Sequence, residues 1–411
     1  MPTIAVLGTL DTKGREVRFL AEQVQANGCA TLVVDLGVLA PPATEPDVAR
    51  EAVAEAAGEK VEALAAAGDR GRAVAAMTRG AERIVAQLQA QGRIQAVVGI
   101  GGSAGTTMAT AAMRALPMGV PKVMVSTLAG GDVSAFVGSA DIVMIPSVVD
   151  ISGLNRISRQ VVARAGAAVA AMTKVEAPEA SDEDDKPLIA ASMFGNTTQC
   201  VEAARADLEA AGFEVLVFHA TGTGGRTMEN LISGGFITAV LDVTTTELAD
   251  ELVGGVMSAG PTRLEAAARA GIPAVVAPGC LDMVNFWEPE SVPKKYRERL
   301  FYQHNPNVTL MRTTPEENRE LGRRLAERVN ASTGPVTVFL PLQGISVISA
   351  PGQPFHSPEA DQALFESIKD GLRPEFSVHE LDCNINDPAF AAAAVQELMR
   401  LVERGDNVRA T

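Results

Sequence analysis

The chain predicts an α/β fold of two doubly wound parallel-sheet domains. Short β-branched runs alternate with longer helical patterns, the mark of parallel strands joined by crossover helices. A charged, proline-flanked segment, 174–187, interrupts that alternation with six acids between Glu176 and Asp185. Beyond it the pattern restarts, so domains are expected at 1–173 and 188–411, with an exposed acidic linker between.

The elements follow in order. Ile4–Gly8 reads as a strand, Asp11–Asn27 as an amphipathic helix closed by Gly28, and Thr31–Leu36 as the second strand. An Ala-rich helical block, Asp47–Gln91, precedes strands at Ala96–Ile100, Lys122–Ser126 and Ile142–Ile145, then a helix over Ser152–Met172. After the linker, Leu188–Gln199 echoes Ile4–Lys13 as strand, Gly/Thr/Asx turn and helix, and Val215–His219 sits at the matching offset to Thr31–Asp35. Ala239–Val243, Ile272–Ala277 and Val308–Met311 are expected to answer to the third, fourth and fifth strands, and Asn318-Arg319 to Asn155-Arg156 on a closing helix. Val336–Leu340, Gly344–Ala350 and Phe376–Leu381 read as further strands of the second half. Two Rossmann-like domains, related by duplication and with the second the larger, is the resulting expectation.

Composition excludes several classes. The 411 residues include 35 basic and 50 acidic side chains, a formal charge of −15, which repels a phosphate backbone and argues against nucleic-acid binding. With 47% apolar residues and only 13 Phe, 2 Tyr and 1 Trp, the chain fits neither a disordered segment nor an aromatic stacking platform. Cys29, Cys200, Cys280 and Cys383 lie far apart, without the paired spacing of a zinc site or a disulfide framework. No cleavable leader and no bilayer-spanning stretch is expected, and a cytoplasmic protein with free thiols is the reading.

In an open parallel sheet, ligands bind beyond the C-terminal strand ends. Gly8-Thr-Leu-Asp-Thr-Lys-Gly14 offers Thr9, Asp11, Thr12 and Lys13 at a helix start, suited to an anion or simply to an N-capped helix with a solvated lysine. It lacks the Gly-Lys-Ser/Thr ending of a P-loop. Gly99-Ile-Gly-Gly-Ser-Ala-Gly105 runs from a buried strand into a helix. There Gly101, Gly102, Ser103, Gly105 and Thr106 suit close approach of a phosphate or carboxylate, or else tight helix–sheet packing. Thr127, Gly130, Gly131 and Asp132 follow the fourth strand, with Asp132 a candidate magnesium ligand. Asp35 ends the second strand, where dinucleotide folds place a ribose-binding acid. Together these predict a nucleotide pocket in the first half.

The second half differs in chemistry. Gly222, Gly224, Gly225 and Arg226 form a glycine-rich turn with a cation, a candidate substrate-binding loop. Asp242, Glu247 and His304 are candidate acid/base groups for a small polar substrate.

These motifs, with Ser192-Met-Phe-Gly-Asn-Thr-Thr198, Thr221-Gly-Thr-Gly-Gly-Arg-Thr-Met-Glu229 and Pro278-Gly-Cys-Leu-Asp282, resemble over nearly the whole chain a bacterial and fungal family. That family is related to the ATP-binding, N-terminal inhibitory domain of the tomato mosaic virus resistance protein. The resemblance implies two Rossmann-like subdomains, ATP with magnesium in the first, and a homodimer. It also implies that the TIM-barrel-like domain following in the plant member would here be a separate partner protein. It supplies no reaction. Three expectations therefore stand: a magnesium–ATP binding protein; an enzyme acting on a small carboxylate or sugar acid in the C-terminal half or between the halves; and a nucleotide-gated interaction module.

Overall fold

The computed structural model describes residues 1–175 and 186–409, with side chains to Arg404. Two compact units divide between Glu179 and Ala180, inside the charged segment; residues 176–185 of the expected linker lie outside the described residues.

The first unit runs β1 (Thr3–Gly8), α1 (Leu10–Ala26), β2 (Ala30–Asp35), α2 (Arg50–Ala56), α3 (Val61–Ala67) and α4 (Arg70–Ala90). It continues through β3 (Ala96–Gly101), α5 (Ser103–Arg114), β4 (Lys122–Ser126), α6 (Ser134–Val137), β5 (Ile142–Pro146) and α7 (Arg156–Met172). All strand pairs are parallel, in the order β2-β1-β3-β4-β5.

Strand periodicity explains the layering. Side chains alternate across a strand, so a central strand buried on both faces must be apolar throughout. On β1, Ile4 and Val6 face Val17, Leu20 and Val24 of α1 and Val161, Ala165 and Val169 of α7. Ala5 and Leu7 face the opposite layer, Val53 of α2, Leu64 of α3, Met77 of α4 and Met108 of α5. The Ala-rich block breaks into three helices, and its glycines have separate uses. Gly68 ends α3 in the left-handed region, whereas Gly80 within α4 lets the backbone at Val53 pack directly against it.

The second unit contains β6 (Leu188–Met193), α8 (Thr198–Ala210), β7 (Glu214–His219), α9 (Thr223–Ser233), β8 (Ala239–Thr244), α10 (Glu247–Val253), α11 (Ala266–Ala270) and β9 (Ala274–Gly279). Then come β10 (Met283–Phe286), β11 (Phe301–Asn305), β12 (Val308–Arg312), α12 (Pro315–Asn330), β13 (Val336–Pro341), α13 (Pro358–Gly371), β14 (Ser377–Leu381) and α14 (Pro388–Arg409). Its six-stranded parallel sheet has the order β14-β13-β9-β8-β6-β7.

Taken in chain order within each unit, the first five parallel strands share one arrangement, second-first-third-fourth-fifth. The fifth strand of the second unit is β13, however, and not Val308–Met311. That segment belongs to β12, the centre of a separate antiparallel sheet ordered β10-β12-β11. The closing-helix match fails for the same reason. Asn318-Arg319 lies on α12, which precedes β13, and it is α14 that packs with α8 as α7 packs with α1. Gly344–Ala350 forms no strand: Ser349 Oγ accepts from the amides of Ile345 and Ser346, curling the segment into a turn.

Candidate functional site

In the first sheet the chain reverses direction between β1 and β3, the place where ligand crevices open in doubly wound folds. A hollow of about 490 Å³ lies there. One end is polar, built from Thr9, Asp11, Thr12 and Lys13 at the start of α1 and Gly102, Ser103 and Gly105 at the start of α5. The other is an apolar wall of Leu64, Ala73, Val74 and Met108.

The polar end has free donors. The first intrahelical acceptor bond of α5 is made by the Thr106 amide to the Gly102 carbonyl, leaving the amides of Ser103, Ala104 and Gly105 in the unsatisfied first turn. No side chain caps that turn. The side chain of Lys13, a half-buried residue, makes no hydrogen bond or ion pair among the described residues. The glycines divide by role. A Cβ on Gly101 would sit 2.8 Å from Gly105 Cα, whereas one on Gly102 would meet nothing nearer than Thr127 Oγ1 at 3.8 Å.

Two aspartates shape the hollow. Asp11 Oδ2 accepts from the amides of Val38 (3.0 Å) and Leu39 (2.8 Å), pinning the loop after β2 against α1. This contact demands Gly37, since a Cβ there would lie 2.7 Å from the Asp11 carboxyl carbon. Asp35 is buried and does not line the hollow. Its Oδ1 accepts from Leu10 (3.0 Å) and Gly37 (2.8 Å), Oδ2 has no partner, and burial raises its pKa. Asp35 therefore joins the two loops from beneath, and has no surface to offer a ribose.

Thr106 is likewise internal, its hydroxyl 2.7 Å from Ser126 Oγ. Thr127, Gly130, Gly131 and Asp132 are exposed and stand outside the hollow's lining. Asp132 Oδ1 accepts from the Ser134 amide, the hydrogen bond that lowers its pKa. The lining does include Asp69, Arg70 and Asp150, none of them indicated by the loop motifs. Asp150 follows a tight turn in which the Val149 amide donates to Ser147 O (2.7 Å) around Val148 at φ 66°.

In the second unit the equivalent reversal lies between β6 and β8, and it is filled. Thr197 and Thr244 hydroxyls meet at 2.8 Å, and Ser192 Oγ donates to Asp242 Oδ1 at 2.6 Å. Phe194, beyond β6, packs with Met257, Cys280, Met283, Leu310, Ile348 and Phe355, so the antiparallel sheet supplies part of the filling.

The candidate bases there are committed elsewhere. Arg263, fully buried, grips Asp242 through both terminal nitrogens (2.5 and 2.7 Å), Glu247 through Nε (2.6 Å) and Glu229 at 3.3 Å. Burial opposes the guanidinium's charge, but the three carboxylates outweigh it and hold its pKa well above the usual value. Glu247 also accepts from the amides of Gly222 (2.7 Å) and Gly225 (3.1 Å). Gly225 must lack a Cβ because the Glu247 carboxylate occupies its place, and Gly224 packs on the His219 carbonyl. Arg226 reaches Ser258 O and Thr223 Oγ1. The glycine-rich turn is thus a receptor for the molecule's own glutamate. His304 stands exposed on β11, separate from this network.

Comparison with known proteins places this geometry in a family. Residues 2–178 match the N-terminal domain of "Uncharacterised protein family (UPF0261)" and residues 186–402 its C-terminal domain. The chain belongs to the UPF0261 family. A UPF0261 protein of Clostridium tetani is 48% identical over 402 residues, covering 98% of this chain and 99% of its own. The ToMV resistance protein Tm-1(GCR237) of Solanum lycopersicum is 38% identical over 427 residues, covering 99% of this chain but 57% of the plant protein. Among solved structures, UDP-N-acetylglucosamine 2-epimerase from Rickettsia bellii matches 67% of this chain and 78% of its own, at 13% identity and a TM-score of 0.24. A likeness at that level says nothing about ligand or reaction. Among the described residues of this UPF0261 chain, no helix is long and apolar enough to cross a membrane, and no cluster of three or more His, Cys, Asp or Glu could hold a metal ion.

Proposed function

We propose that the first unit binds ATP in the hollow between the loops after β1 and β3. One observation carries the reading. At the sheet's reversal point a single cavity joins uncapped first-turn amides, hydroxyls and a lysine at one end to an aliphatic wall at the other. Amides and a helix N-terminus suit phosphates, an aliphatic wall suits a base, and about 490 Å³ falls within the usual range of ligand pockets. The choice of ATP among nucleotides comes from the family resemblance.

The residues present fit magnesium only together with phosphate. Magnesium is ordinarily held by one or two carboxylates plus phosphate oxygens and water. Asp11 and Asp150 line the hollow and would supply those carboxylates, whereas Asp132 lies outside it. Bound there, the ion would neutralise phosphate charge beside two acids. The chain's own part is to orient the phosphates through the Ser103–Gly105 amides and to counter their charge with Lys13.

The test is calorimetry with a non-hydrolysable ATP analogue and magnesium. Lys13→Ala is expected to weaken binding about tenfold, the worth of one charge-assisted hydrogen bond. Equal affinity in the variant removes the reading. The homodimer, the separate TIM-barrel-like partner and a cytoplasmic location belong to the same proposal, and light scattering at micromolar concentration tests the first of them. Catalysis by Asp242 or Glu247 has no support in their geometry, since both are buried and held by Arg263.

A further inference from the structure

A hollow of about 370 Å³ lies in the second unit, outside the C-terminal end of β13, where the loop after that strand faces α13. Ligand crevices form at such strand ends, and the volume is that of a small-molecule pocket. One wall is the loop at 342–344. The other is a face of α13 on which Asp361, Gln362, Phe365, Glu366 and Lys369 recur three and four residues apart. The loop is fixed from behind, because Asn384 Nδ2 donates to the carbonyls of Gln343, Gly344 and Ser346.

The inner end is built on one buried side chain. Arg312, 5% exposed, donates through Nε to Phe355 O (2.8 Å) and through Nη2 to Asp361 Oδ1 (2.6 Å). It thereby holds His356, the next residue, beside Asp361, and both line the hollow. His356 Nδ1 lies 3.3 Å from Ser349 O. A carbonyl only accepts, so that nitrogen carries the proton and Nε2 of the neutral ring is an acceptor. Asp361 is itself 6% exposed, and Arg312 engages only its Oδ1. Burial raises the Asp361 pKa against the pull of Arg312, so one cation does not fully compensate the carboxylate.

The balance of donors and acceptors decides what fits. Among the described residues, the lining's donors are engaged within the chain. The Leu342 and Gln343 amides donate to the carbonyls of Leu381 and Cys383. Gln343 Nε2 donates to Asp382, Gln362 Nε2 to Glu366, and Lys369 to Glu380. Acceptors are left over: Asp361 Oδ2 and His356 Nε2 inside, and the second oxygens of Glu366 and Glu380 at the rim. An anion finds no donor there, whereas an ammonium finds a desolvated carboxylate and an imidazole nitrogen. Leu342 and Phe365 add an apolar surface for a short alkyl chain.

We infer that this hollow binds a small organic ammonium ion, its nitrogen donating to Asp361 Oδ2 and His356 Nε2 and its alkyl part lying along Leu342. The inference stands apart from the nucleotide reading, which concerns the other unit.

The experiment is calorimetry of the full chain with butylammonium, 1-butanol and butyrate at matched ionic strength. Histidine NMR locates the site among the chain's four imidazoles. Butylammonium is expected to bind at least tenfold more tightly than butanol and to shift the His356 signal most, while butyrate does not bind. His356→Ala, at an exposed position, is expected to weaken butylammonium about tenfold, the worth of one hydrogen bond to a charged group. Asp361→Asn is expected to weaken it further, with melting checked because Arg312 loses its carboxylate. Glu209→Gln, an acid on α8 away from the hollow, controls for the chain's charge of −15 and is expected to change nothing. Butanol and butylammonium binding alike, full affinity in His356→Ala, or an equal loss in Glu209→Gln overturns the inference.

Discussion

Two adjacent glycines offer a separation of folding from binding. In Gly102→Ala the added methyl meets Thr127 Oγ1 at 3.8 Å, an ordinary contact, and the native φ of −81° is open to alanine. Gly102 is the N-cap of α5, where alanine is worse than glycine by roughly 0.5–1 kcal/mol, and the lost freedom of the unfolded chain returns a similar amount. The folded unit should therefore melt within about 2 °C of the parent. Gly102 lines the hollow next to the Ser103–Gly105 amides, and a methyl there is expected to cost one charge-assisted hydrogen bond, about 1.5–3 kcal/mol or at least tenfold in affinity. Gly101→Ala is the counterpart. Its Cβ would meet the Gly105 backbone at 2.8 Å, and overpacking of that kind costs about 1–3 kcal/mol, or roughly 2–12 °C in melting temperature for a unit of this size. Calorimetric titration and thermal unfolding of both variants check the pair. Unchanged nucleotide affinity in Gly102→Ala, or a melting loss equal to that of Gly101→Ala, would refute the reasoning.

Two stability predictions concern the second unit. Arg263→Met leaves Asp242, Glu247 and Glu229 buried without their cation, a loss of roughly 3–5 kcal/mol. Burial already raises the Glu229 pKa against the pull of Arg263, and removing that cation leaves the rise unopposed, so the deficit should grow from pH 5 to pH 8. Scanning calorimetry at both values would expose a pH-independent loss as a contradiction. Asp250 is raised to about 7 by burial, which outweighs its hydrogen bonds from Asn285 and Met257. Its folded pKa exceeds the unfolded one, so its stabilisation is complete below about pH 4 and is lost as pH rises through about 7. Asp250→Asn should flatten the melting-temperature decline between pH 5 and 8. A residual slope should remain at lower pH from Asp282, raised to about 6 by the same cause. An unaltered profile would show that Asp250 does not titrate in this range.

Periodicity exposed the parallel strands because each central strand is apolar on both faces, as Ile4, Ala5, Val6 and Leu7 are. The same property misled at Val308–Met311. An antiparallel strand buried on both sides carries the same kind of run, and nothing in Val-Thr-Leu-Met reveals pairing direction. In the candidate site, Thr9, Asp11, Thr12, Lys13, Gly102 and Ser103 were legible because strand-to-helix turns have a local signature. Asp69, Arg70 and Met108 were not, since they reach the hollow from the N-cap and first turn of α4 and from within α5, positions set by tertiary packing. Arg263 was invisible for another reason. Its partners precede it by 16, 21 and 34 residues, and Pro261-Thr-Arg-Leu-Glu265 reads locally as an ordinary turn. The glycines at 222, 224 and 225 signal a close approach, but a sequence does not say whether the approaching group is foreign or the chain's own Glu247.

The side chains packed over the second sheet's reversal point have an arithmetical consequence. Among the described residues, Phe194 beyond β6 packs with Met283, Leu310 and Phe355, so the two like halves do not present equal openings. Saturation should fall at a single nucleotide per polypeptide.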